Sequence, residues 1–119
     1  MCDFYITLYS MKLIKIVIYS TKTGKEPYSE WEDGLDKKTQ AIVKNRLDRI
    51  SLGNFGTAKS LKGAKDIWEV VLDVGPGYRI YYGKKGTTVI LLLVGGEKKT
   101  QERDIEKAKR YWDDGKELL

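Results

Sequence analysis

The sequence predicts an α+β domain with elements in the order β-α-α-β-β-β-α and a twisted antiparallel sheet packed against the helices. Three observations carry that prediction. Residues 13–19 form a β-branched, apolar run of strand type. Residues 36–53 place apolar side chains three and four apart, the spacing of one helix face. Residues 67–94 hold three short apolar segments separated by glycine-containing turns.

Each element has a local reason. Residues 20–25 form a polar turn containing Gly24. Pro27 suits the first turn of a short helix, Ser29 and Glu32 stand at capping-box spacing, and Gly34 ends that helix after Asp33. Asp36 then caps a longer helix whose apolar face is Thr39, Ile42, Val43, Leu47 and Ile50. Lys37, Lys38, Lys44 and Arg49 fall outside that stripe, and Gly53 stops the helix. With so short a link between them, the two helices are expected as an antiparallel hairpin.

Residues 54–64 read as a loop carrying Lys59 and Lys62, with Lys65 just beyond. Residues 67–74 and 78–82 read as a strand pair joined by Gly75-Pro76-Gly77. A second tight turn is expected at 83–86, then a central strand over 87–94, buried on both faces and ended by Gly95 and Gly96. Thr100 is the expected cap of a last helix running to about Asp114, with Ile105, Ala108 and Trp112 on one face. Short turns make the last three strands antiparallel neighbours, and the first strand must rejoin their sheet to bury its apolar face.

Composition bounds the function. The 119 residues, 41% hydrophobic and 33% charged, suit one globular domain. We read residues 13–119 as that domain and residues 1–12 as an N-terminal extension, with Met11 as an alternative start. Histidine is absent and Cys2 is the single cysteine, which excludes Cys/His zinc sites, Ser-His-Asp or Cys-His catalysis and an internal disulfide. Thr7, Ser10, Lys12 and Lys15 interrupt the apolar N-terminal stretch before it reaches the roughly 20 residues a membrane span needs. The expectation is a cytoplasmic protein with no membrane partner and no cofactor. The net charge of +5 favours an acidic partner or nucleic acid. Between residues 97 and 110, six basic and four acidic side chains interleave, as on the solvated face of a helix.

Four stretches, in order, carry a resemblance. They are residues 27–35 (Pro-Tyr-Ser-Glu-Trp-Glu-Asp-Gly-Leu), residues 46–56 (Arg-Leu-Asp-Arg-Ile-Ser-Leu-Gly-Asn-Phe-Gly), residues 75–82 (Gly-Pro-Gly-Tyr-Arg-Ile-Tyr-Tyr) and residues 91–112 with Gly-Gly-Glu-Lys-Lys-Thr-Gln and Asp104-Ile105. The set, spanning roughly residues 21–114, resembles the RelE/ParE superfamily of toxins from type II toxin–antitoxin systems, in its phage-derived, addiction-module killer branch. The resemblance implies a RelE/ParE-like fold and an mRNA endoribonuclease that inhibits translation by cutting mRNA on the ribosome. Such cleavage is attack of a 2′-hydroxyl on the neighbouring phosphate. It requires a base, an acid and positive charge at phosphorus, supplied without histidine or metal by Lys, Arg and Tyr.

On that pattern Arg79, Lys98 and Lys99 are the catalytic candidates, and Lys59, Lys62, Lys65 and Arg103 the RNA-binding ones. Each has a plainer reading. Arg79 can be a cross-strand ion-pair partner of Glu69 or Asp73, Lys98 and Lys99 a solvated turn, and the loop lysines ordinary surface charge. Tyr78 and Tyr82 share one strand face, with one face of that strand open to a base, while Tyr81 on the other face packs in the core. Trp31, Trp68 and Trp112 read as core anchors, and Tyr111 as a packing residue with general acid as its alternative.

The chain departs from the pattern at Val71, which stands where the family carries a basic residue, and Asp73 adds negative charge beside it. That departure keeps two other readings open: a non-enzymatic DNA gyrase poison like ParE, and a degenerate toxin that only binds its antitoxin. All three imply a cognate antitoxin, with a helix-turn-helix part, as protein partner.

Overall fold

The computed structural model describes residues 13–119. The readings placed on residues 1–12, including the extension, Met11 and Cys2, lie outside the described residues.

The observed order is β1 (Lys15–Ile18), α1 (Pro27–Asp33), α2 (Lys37–Ser51), β2 (Lys59–Leu61), β3 (Ala64–Leu72), β4 (Tyr78–Lys84), β5 (Val89–Glu97) and α3 (Gln101–Gly115), with single 3-10 turns on either side of α3. The five strands form one sheet in the order β1-β5-β4-β3-β2. Among the described residues this is a mixed α+β fold with a five-stranded sheet and three helices. Two features correct the expectation. The sheet is not wholly antiparallel, because β1 returns parallel to β5, with Ile16 beside Ile90 and Val17 beside Leu91. The segment expected as a loop contains an extra edge strand, β2, whose Lys59 stands opposite Glu69 and Ser60 opposite Trp68. Three residues of Lys-Ser-Leu are too short and too polar to announce a strand by alternation.

Helices cover both faces of the sheet. On one face Val43 and Ile50 of α2 and Tyr28 of α1 pack on Val70, Leu72, Ile80, Tyr82, Ile90 and Leu92. On the other, Ala108 and Trp112 of α3 pack on Ile67, Tyr81, Leu91 and Leu93. The central strand is therefore buried on both sides, as its continuous apolar run predicts. Each fully buried aliphatic side chain contributes about 1.5–3 kcal/mol. Tyr78 and Tyr82 do share a face opposite Tyr81, but neither face is open: Tyr82 is as buried as Tyr81.

Local capping holds in part. Asp36 caps α2, accepting from the Thr39 amide at 3.3 Å and the Thr39 hydroxyl at 2.6 Å. These bonds, the hydroxyl's first, hold the Asp36 carboxyl below the usual carboxylate range. The Gln40 amide bonds the Glu32 carbonyl at 2.9 Å and ties α2 to the end of α1. Ser29 does not act as a cap. Pro27 occupies the first helical turn with Glu26 before it, and the Ser29 hydroxyl donates to the Glu26 carboxylate at 2.7 Å.

Gly95 and Gly96 do not end the central strand but lie inside it. A β-carbon on Gly95 would collide with the Trp31 ring, and one on Gly96 with the Asp104 carboxylate. Gly83 likewise sits within β4 because the Trp112 ring presses on it. These glycines admit close contact between layers rather than a turn.

Candidate functional site

The site grows out of the β3–β4 hairpin. Gly75 and Gly77 adopt φ of 56° and 76°, a left-handed conformation that glycine accepts without strain. The turn sets the register in which Val71 faces Arg79 and Glu69 faces Tyr81. Alternation then points Glu69, Val71, Arg79 and Tyr81 to the face covered by α3. On the next strand Arg79 stands opposite Gly96, whose missing side chain makes room for Asp104 from the first turn of α3.

A polar cluster results, walled by apolar side chains. Glu69 is 2% exposed. Its Oε2 accepts from the Tyr81 hydroxyl at 3.0 Å and from the Gln101 amide at 2.8 Å. The Nε of Arg79 lies 3.6 Å from the same oxygen, an ion pair too long for a hydrogen bond, and this buried N–H finds no other acceptor. Nη1 of Arg79 donates to the Gly77 carbonyl at 2.8 Å. Beside this, the Thr100 hydroxyl donates to Asp104 at 2.5 Å, and Glu97 and Thr100 close a reciprocal capping box. Burial, with Glu69 close by, pushes the Tyr81 hydroxyl well above its ordinary range, and burial does the same to Tyr82. Neither tyrosine is suited to proton transfer near neutral pH.

The Arg79 side chain is 12% exposed and is the cross-strand ion-pair partner of Glu69, the plainer of its two readings. Lys98 is exposed and stands next to it in space: a β-carbon on Gly77 would lie 3.3 Å from Arg79 Nη1 and 3.5 Å from Lys98 Cβ. Lys99 is exposed and pairs with Glu97 at 3.6 Å. Arg103 is exposed on α3, and residues 98–103 line one surface depression.

Lys59, Lys62 and Lys65 are exposed but do not all join this end of the sheet. Lys59 stands opposite Glu69 on the edge strand. Lys65 is six strand residues from Val71, roughly 20 Å at about 3.3 Å per residue, and Lys62 lies beyond it. Tyr111 stacks on Tyr19 at 5.0 Å between ring centres and takes the packing role. Trp112 is buried, and Trp31 and Trp68 are half-buried against the core.

Sequence reasoning missed Gln101. A signal was present: Gln101 and Asp104 fall on the same helical stripe as Ile105, Ala108 and Trp112, and polar residues on a core-facing stripe imply buried partners.

The fold and site define a small sheet-and-helix domain with a buried carboxylate–arginine cluster behind an exposed basic turn. By comparison of sequences, the chain belongs to the family described as Phage derived protein Gp49-like (DUF891), whose model matches residues 30–113. It is also 39% identical over 72 residues to an uncharacterized protein of Haemophilus influenzae (strain KW20/Rd), covering 60% of this chain and 71% of that protein. Among the described residues no helix is long and apolar enough to cross a membrane.

Proposed function

We propose that this chain is the toxin of a type II toxin–antitoxin pair, with a RelE/ParE-like fold and a ribosome-dependent mRNA endoribonuclease activity. The observation that carries the reading is that the Arg79 guanidinium and the stem of exposed Lys98 both border Gly77, inside the matched segment of a phage-derived family. Two cations on one sheet end suit a phosphodiester, the arginine through its planar fork and the lysine as a mobile point charge. Lys99 and Arg103 extend the positive surface, and Lys59 lies at its edge. Lys62 and Lys65, at the other end of β3, would track the strand further along. A cognate antitoxin would cover the basic end, and an acidic segment suits it.

A second reading is favoured by a specific observation. Arg79 is mostly buried against Glu69, and its cross-strand neighbour is Val71, which can neither bind phosphate nor move a proton. For cleavage, phosphate must draw the guanidinium away from Glu69. If it does not, the protein is a toxin that blocks its target by binding, as a gyrase poison does, or one that retains only antitoxin binding. Primer extension on mRNA after induced expression separates these outcomes. Codon-phased breaks support cleavage; intact transcripts with an SOS response support gyrase poisoning.

A further inference from the structure

Three donors converge on one oxygen. Oε2 of Glu69 receives the Gln101 amide at 2.8 Å and the Tyr81 hydroxyl at 3.0 Å, while Arg79 Nε stands off at 3.6 Å. A carboxylate oxygen offers about two lone-pair directions, so two good donors leave little for a third. The consequence is visible at Arg79, whose buried Nε–H makes no hydrogen bond. The guanidinium is near enough to neutralise Glu69, but it is not clamped. Its hydrogen bond is from Nη1 to the Gly77 carbonyl at 2.8 Å.

The two donors differ in origin. Tyr81 belongs to the same sheet as Glu69 and is fully buried. Gln101 comes from the first turn of α3 and is only half-buried. Without the amide, Oε2 has acceptor capacity to spare for the unmet Nε–H 3.6 Å away. Contraction from 3.6 Å to the usual 2.7–2.9 Å of a charge-assisted bond would follow, because an unmet buried donor is costly.

We propose that Gln101 is a positioning residue for Arg79, acting through Glu69: by occupying the carboxylate it keeps the guanidinium loosely held and able to receive a phosphate. The inference rests on the RNA-directed reading for its second half only. Its first half, the competition between Gln101 and Arg79 for Glu69, stands on geometry alone.

The experiment uses the full chain, labelled with nitrogen-15, and follows the Arg79 Nε–H resonance together with binding of a short single-stranded RNA. The variants are Gln101→Leu, which removes the amide at similar size, and Gln101→Asn, which shortens its reach. Arg79→Met/Glu69→Gln, with the ion pair removed from both sides, assigns the resonance. Thermal melting confirms that each variant is folded. In both Gln101 variants the Nε–H resonance is expected to move and exchange with water more slowly, and RNA affinity to fall roughly tenfold, the scale of one charge-assisted hydrogen bond. An unchanged Nε–H resonance in folded Gln101→Leu overturns the proposal. A shifted resonance with RNA binding indifferent both to Gln101 and to the double variant upholds the competition and sinks the RNA reading.

Discussion

Arg79 and Glu69 form the one ion pair with both side chains largely buried among those of the described residues: Nε to Oε2 is 3.6 Å, with side-chain exposures of 12% and 3%. A pair so placed has a folding role whatever else it does. Truncating one member leaves the other charged, buried and alone, which costs about 3–5 kcal/mol, whereas replacing both with uncharged residues of similar volume is often neutral. Arg79→Ala is therefore expected to lower the urea midpoint sharply, and Arg79→Met/Glu69→Gln to recover most of the loss. Equal midpoints for Arg79→Ala and the natural chain would show the pair to be solvated.

The glycines of β5 make a packing prediction. Gly95→Ala forces the Trp31 ring off the strand, and overpacking of this kind costs about 1–3 kcal/mol. Trp31 also meets Tyr78 edge-on at 6.0 Å, and the Tyr78 ring lies over Gly75 of the hairpin turn. The substitution should thus reduce stability in denaturant titration and alter the Trp31 fluorescence. Gly95 is not among the glycines with positive φ, so the loss reports the ring collision and not backbone strain.

Alkaline pH should loosen the join between β1 and α3. Burial first, and then the 2.6 Å bond to Asp114, push the Tyr19 hydroxyl up to about 12 from its ordinary value of 10.0. The neutral hydroxyl is favoured in the folded state. Its contribution is fully present below the unfolded value near 10 and is lost as pH rises through the folded value near 12. Tyr19→Phe should flatten that part of the stability–pH curve. A slope between pH 10 and 12 identical in both proteins would assign it to other tyrosines.

The lysines of β2, β3 and the turn between them make an electrostatic prediction. If Lys59, Lys62 and Lys65 each contact a backbone phosphate, changing all three to glutamine should reduce the slope of log affinity against log salt by about 2, at about 0.7 per contact on single strands. An unchanged slope would make them ordinary surface charge, as their spread along β3 allows.

These predictions also show what the sequence disclosed. Asp36 was legible because an N-cap is local chemistry, and the apolar run of β5 because burial on two faces leaves no other pattern. Gly95 and Gly96 were misleading. A glycine pair commonly marks a turn, and nothing local reveals that Trp31 and Asp104, far away in the chain, come to rest on them. Ser29 matched a capping box by spacing, but Pro27 already begins the helix. The parallel pairing of β1 with β5 is a long-range contact that no local periodicity encodes. At the site, the Arg79–Glu69 pair was one of two readings available from charge alternation on neighbouring strands. The approach of Gln101 required the packing angle of α3, which the sequence does not state.

The most direct test of the account is primer extension on cellular mRNA after induced expression of the natural chain and of Arg79→Met/Glu69→Gln, with the double variant shown to be folded. We expect codon-phased breaks with the natural chain and none with the variant. Breaks of equal intensity from both, or intact transcripts from a natural chain that still arrests growth, would contradict a phosphate-gripping role for Arg79.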